Sequence, residues 1–102
     1  MKAKLIIAAL LAFAAIPAQA QDYNCNRSKY ADEVTICQNR DLARLDERLN
    51  RVYNRVLRDS SYGEALRLRR EQSRWLASRR SCGTREGCIR GHYIRRLGQL
   101  RG

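Results

Sequence analysis

The sequence predicts an all-α fold, a small disulfide-stapled bundle of three main helices with a short N-terminal helix tied to it. Three observations lead there. Apolar residues recur at steps of three and four through most of the chain, and no segment alternates with period two over a useful length. Four cysteines, Cys25, Cys37, Cys82 and Cys88, flank those periodic segments. The turn chemistry between them, Asp59-Ser60-Ser61-Tyr62-Gly63 and Gly83-Thr84-Arg85-Glu86-Gly87, joins helix to helix.

The first 20 residues stand apart. Met1-Lys2-Ala3-Lys4 is a charged start, Leu5 to Ile16 is an apolar run too short to span a bilayer, and Ala18-Gln19-Ala20 supplies small residues for a signal peptidase. Residues 1 to 20 therefore read as a secretory signal peptide, and no cysteine follows the cut to take a lipid. The expected destination is the periplasm or the outside of the cell. Residues 21 to 102 then form one domain of 82 residues, a size at which an apolar core alone is marginal and covalent staples are common.

A short first helix is expected from Ser28, as its cap, through Glu33, Val34 and Ile36 to Cys37. Its apolar content is slight, so the cysteines must hold it. The second helix is the most strongly marked. After Asn39 and Asp41 as candidate caps, Leu42, Leu45, Leu49, Val52 and Val56 make one stripe, broadened by Tyr53 and Leu57, ending near Arg58. Ser61 with Glu64 three residues on has the pattern of a capping box that opens a third helix. That helix carries Ala65, Leu68, Gln72, Trp75, Leu76 and Arg79 on one face, which puts the only tryptophan at the expected centre of the core. It stops near Cys82-Gly83, where glycine suits a left-handed closing residue. A fourth helix from Cys88 aligns Ile89, Tyr93, Leu97 and Leu100.

In an oxidising compartment the four cysteines read as two disulfides. Zinc is the rival, but no Cys-x-x-Cys knuckle is present, so neither metal nor cofactor is expected. Four cysteines allow three pairings. Cys82 with Cys88 brackets a turn and leaves Cys25 with Cys37, which is the favoured arrangement, while the pairings that cross-link the two ends stay open.

Charge narrows the partners. The chain carries +11; Lys2 and Lys4 leave with the signal peptide, and the remaining 19 basic and 10 acidic residues give +9. Arg44, Arg48, Arg51, Arg55 and Arg58 form a band about 100° around the second helix from its apolar stripe. Such a band suits an anionic glycan or lipid surface. Nucleic acid fits it poorly, because no aromatic residues are interleaved and Glu47 is placed to pair with Arg51.

No enzyme is expected. His92 is the single histidine and no serine, cysteine or carboxylate is placed beside it by motif; no phosphate loop or His-Glu-x-x-His sequence occurs. Asp46 lies close to the apolar face and needs a partner, for which Arg79 and Arg96 are the natural choices. With Tyr53 and Gln72 they read as a structural polar network. The bracketed turn, Thr84, Arg85 and Glu86, is the candidate for a protruding contact because a braced loop loses little entropy on entering a cleft.

Taken together, Cys25, Glu33-x-x-Ile36-Cys37, Leu42-x-x-Leu45-Asp46-x-x-Leu49, Tyr53, Gln72-x-x-Trp75-Leu76-x-x-Arg79-x-x-Cys82, Cys88-Ile89, Tyr93, Arg96 and Leu100 resemble the LprI-type lysozyme inhibitor domain across residues 25 to 100. The resemblance implies a small helical, disulfide-bearing envelope or secreted protein that blocks a lysozyme or another muramidase without catalysis. Arg80 departs from it, standing where the family often has an acidic residue. The runner-up is a cationic envelope protein that holds anionic polymer or lipid on its arginine band.

Overall fold

The computed structural model describes Cys25 and residues 28 to 101; the expected signal peptide lies outside the described residues. The fold is all-α, with helices α1 (Ala31–Gln38), α2 (Arg40–Arg58), α3 (Tyr62–Arg80) and α4 (Glu86–Arg101) in chain order. No helix among the described residues is long and apolar enough to cross a membrane.

Local chemistry sets each boundary. α1 starts at Ala31 with Tyr30 in the cap position, two residues later than a Ser28 cap suggested. Its N-cap Tyr30 gives no side-chain hydrogen bond, and Asp32 and Glu33 instead place negative charge in the first turn. At α2, Asn39 is the cap: its side chain accepts from the Leu42 backbone N–H at 3.1 Å, while Asp41 sits in the first turn. Ser61 and Glu64 form the reciprocal capping box at α3. The Glu64 carboxylate accepts from the Ser61 backbone N–H at 2.9 Å, which with the Ser61 hydroxyl contact holds its pKa below the usual value. Past α3 the chain turns through Ser81 to Thr84, with Gly83 at φ 59°, and α4 begins at Glu86, two residues ahead of Cys88.

Both disulfides follow the favoured pairing, Cys25 with Cys37 and Cys82 with Cys88, with Cα separations of 5.4 and 5.5 Å. The first ties the entry of the domain to the end of α1. The second closes the α3–α4 turn.

The core is built from Ile36 of α1, Leu42, Leu49 and Val52 of α2, Cys82, and Ile89, Tyr93 and Leu97 of α4. The face predicted for α2 and that for α4 are the buried ones, with Leu45, Val56 and Leu100 packed against the rim. α3 differs. It buries Gln72 and Arg79, and its Ala65, Leu68, Trp75 and Leu76 are only half-buried. The residue at the centre is Tyr93, fully buried, rather than Trp75. The physical reason is polar. Tyr93 carries a hydroxyl that finds partners inside, while Trp75 lies at the rim, its ring edge-on to Tyr93 at 5.3 Å and its Nε1–H donating to the His92 carbonyl at 3.1 Å.

Candidate functional site

Four side chains from four helices meet beneath α3. Arg79 is 4 % exposed and Asp32 is fully buried; Arg79 Nε donates to Asp32 Oδ2 at 2.7 Å. Arg79 Nη1 donates to the Tyr93 hydroxyl at 3.0 Å, and that hydroxyl donates to Asp46 Oδ1 at 2.9 Å. The guanidinium also lies over the Trp75 and Tyr93 rings, 5.5 and 5.8 Å from their centroids. Burial drags the Arg79 pKa down, but the Asp32 hydrogen bond and the charges of Asp32 and Asp46 outweigh it and leave it raised. Burial, reinforced by the Asp46 charge, pushes the Tyr93 phenol well above its ordinary value. Arg79 therefore stays cationic and Tyr93 stays neutral at any physiological pH.

Asp46 and Arg79 do come together, but at 3.9 Å and through the Tyr93 hydroxyl between them. The direct partner of Arg79 is Asp32, which the sequence reading missed. Its signal was present. Asp32 stands four residues before the buried Ile36, on the same face of α1. Arg96 does not reach Asp46. It donates through Nε to Gln72 Oε1 at 2.9 Å and through Nη1 to Gln99 Oε1 at 3.1 Å, with Glu71 at 3.9 Å, and burial lowers its pKa. Tyr53 is half-buried beside the cleft that Asp46, Gln72 and Arg79 line.

At the braced turn Thr84, Arg85 and Glu86 are all exposed. Arg85 folds back: Nε donates to the Cys82 carbonyl at 3.1 Å and Nη2 to the Ser81 carbonyl at 3.2 Å. Its guanidinium therefore caps the carbonyl end of α3, where a cation is favoured, and leaves Thr84 as the free tip. On α2 the arginine band is solvent-facing throughout. Arg44, Arg48, Arg51, Arg55 and Arg58 are exposed. Among the described residues none of them forms an ion pair, the expected Glu47–Arg51 pair included.

His92 is better connected than its sequence neighbours suggest. Nδ1 lies 2.9 Å from the Cys88 carbonyl, which can only accept, so Nδ1 carries the proton and Nε2 accepts from Ser78 Oγ at 3.1 Å. Ser78 and His92 sit on different helices, fourteen residues apart, so no local motif announces the pair. No carboxylate touches the ring among the described residues. The arrangement ties α3 to α4.

No curated protein and no solved structure matches the chain. A family model does. Described as lysozyme inhibitor LprI, it covers residues 25 to 100, from the first cysteine to the last core leucine of α4. That span takes in both disulfides, the Asp32–Arg79–Tyr93–Asp46 network and all four helices, and the chain belongs to the LprI lysozyme inhibitor family.

Proposed function

We propose that this is a secreted or periplasmic binding protein, released by cleavage after Ala20, that occludes the substrate cleft of a muramidase and performs no catalysis itself. Family membership over residues 25 to 100 carries the reading. The bundle supports it by offering a rigid, exposed turn at one end, braced by Cys82–Cys88 and by the Arg85 contacts to the end of α3. A turn already fixed in the free protein loses little freedom when it enters a cleft. Thr84 is the contact at its tip, with Glu86 beside it.

One observation favours a second reading. Five exposed arginines on α2, none of them ion-paired among the described residues, form a cationic face suited to anionic glycan or lipid. The two readings differ in salt dependence and in the surface used. The test is a turbidity assay of peptidoglycan lysis with lysozymes of several classes, the oxidised protein being added at about 50 and about 200 mM salt. Occlusion by the turn gives stoichiometric inhibition of one class at both salts. It also requires Thr84→Trp to raise the half-inhibitory concentration at least tenfold without altering the circular dichroism. Inhibition that vanishes at the higher salt and is abolished by Arg48→Glu with Arg55→Glu assigns the activity to the arginine band and sinks the occlusion reading. Absence of inhibition in every class sinks it equally.

A further inference from the structure

Two arginines lie equally deep in the bundle and are partnered differently. Arg79, 4 % exposed, has the Asp32 carboxylate at 2.7 Å. Arg96 is 5 % exposed, and its hydrogen-bond partners are neutral amides: Nε donates to Gln72 Oε1 and Nη1 to Gln99 Oε1. Its Nη2 has no hydrogen-bond partner among the described residues. Glu71 stands 3.9 Å from Nη1, beyond hydrogen-bond reach, on a side chain 41 % exposed. A buried guanidinium placed so is short of negative charge, and burial lowers its pKa for the same reason.

The end of that guanidinium borders a cleft. Gln99 and Glu71, the two neighbours of Nη1, line it together with Arg96, between α2, α3 and α4, in a volume of about 630 Å³. Its walls are Val56, Leu68, Trp75 and Leu100, all half-buried. A second hollow shares Val56, Leu68 and Glu71 with the first and extends it toward Ser60 and Glu64 at the α2–α3 turn. From Glu71 to Glu64 is about two turns of α3, roughly 10 Å. A cationic fork thus opens onto an apolar path of limited length.

We propose that this cleft binds an aliphatic carboxylate of medium chain length, a fatty acid: the carboxylate replaces the Gln99 amide at Arg96 Nη1 and reaches Nη2, and the alkyl chain lies along Leu100, Val56 and Leu68. The inference is independent of the muramidase reading. It uses a buried arginine of α4 rather than the exposed ones of α2.

The chemistry selects this class. Two carboxylate oxygens match the two Nη donors in one plane, a pairing stronger than the neutral amide contact it replaces. Gln99 is exposed, so its side chain turns into water at the cost of one neutral hydrogen bond. Glu71 is the competing anion, and Arg74, three residues on and also lining the cleft, offsets it. An inorganic anion would leave the four apolar walls unused. A neutral lipid would leave the fork without its counter-charge. Past the apolar stretch Ser60, Glu64 and Arg67 are polar, which favours a medium chain over a long one.

Trp75 is the only tryptophan and forms one wall, so its emission reports occupancy. The test is titration of the oxidised protein with sodium decanoate below its micelle concentration, with methyl decanoate, decanol and inorganic phosphate beside it. The expected result is a saturable change at one decanoate per chain, with each of the other probes weaker by at least about tenfold. Arg96→Gln weakens decanoate binding by at least about tenfold. Leu68→Glu, which leaves the Arg96 contacts in place and puts a charge on the alkyl path, weakens it as much. Glu71→Gln removes the competing anion and tightens binding, a gain that loss of structure would not produce. Circular dichroism checks each fold, and where Arg96→Gln does not fold the other two variants decide.

The proposal is overturned if decanoate up to about 1 mM leaves the emission unchanged. It is overturned if decanol or the methyl ester binds as tightly, which is apolar capture without the fork. Folded variants at Arg96 or Leu68 that bind like the parent overturn it, as does a Glu71→Gln variant that binds more weakly. Binding abolished by Arg48→Glu with Arg55→Glu assigns the anion to the α2 band and overturns it equally.

Discussion

Asp32 decides more than any other single residue. It is the buried carboxylate that faces Arg79, on a helix with almost no apolar grip of its own. Asp32→Ala would strand a guanidinium that is 4 % exposed, leaving Asp46 at 3.9 Å as its other anion among the described residues. The expected loss is about 3 to 5 kcal/mol. Asp32→Asn keeps an acceptor oxygen and removes only the charge, so it should fall clearly short of that loss. Urea denaturation of the two variants checks the order; equal losses would mean that the charge contributes everything and the hydrogen bond nothing. The same residue shows why sequence reading assigned Arg79 the wrong partner. An aspartate in the first turn of a helix is well explained by the helix dipole alone, and its second task is visible only once α1 lies across α3. Trp75 misled in a related way. Size marks it as the centre, but Tyr93 holds that place because Arg79 and Asp46 give its hydroxyl partners there.

At the scale of elements, periodicity was sufficient wherever burial is apolar. α2 and α4 bury the stripes their spacing predicts, and the capping box at Ser61 and the asparagine cap at Asn39 mark their helix starts directly in the residues. α3 is held differently, by Gln72 to Arg96, Arg79 to Asp32 and Tyr93, and Trp75 to the His92 carbonyl. Its partners are spread over the other helices, so no local pattern identifies them. Two glycines separate backbone need from mere presence. Gly98 lies inside α4 and a Cβ built there meets nothing within 4 Å, so Gly98→Ala should stabilise by about 0.5 to 1 kcal/mol. Gly83 is equally open but sits at φ 59°, so Gly83→Ala should cost about 1 to 2 kcal/mol. Thermal melts read the pair, with the midpoints moving in opposite directions. A rise in both would mean that the turn relaxes away from the left-handed conformation.

For the whole molecule, the two staples do unequal work. In chain-entropy terms alone, closing the Cys25–Cys37 loop is worth about 3 kcal/mol and the shorter Cys82–Cys88 loop about 2.4 kcal/mol. The gap in practice should be wider, because of what each loop carries. Cys82–Cys88 joins two helices already locked by Tyr93, His92 and the α4 core. Cys25–Cys37 holds α1, and α1 brings Ile36 to the core and Asp32 to Arg79. If α1 is released, the bundle loses an apolar plug and keeps a buried cation whose remaining counter-charge among the described residues is Asp46. Cys25→Ala with Cys37→Ala should therefore destabilise by clearly more than its loop entropy, and adding Asp32→Ala to it should cost much less than Asp32→Ala costs in the parent. Denaturant unfolding of this double cycle measures the coupling between staple and ion pair. A coupling near zero would show that α1 stays docked without its disulfide, and that Asp32 and Ile36 alone hold the helix in place.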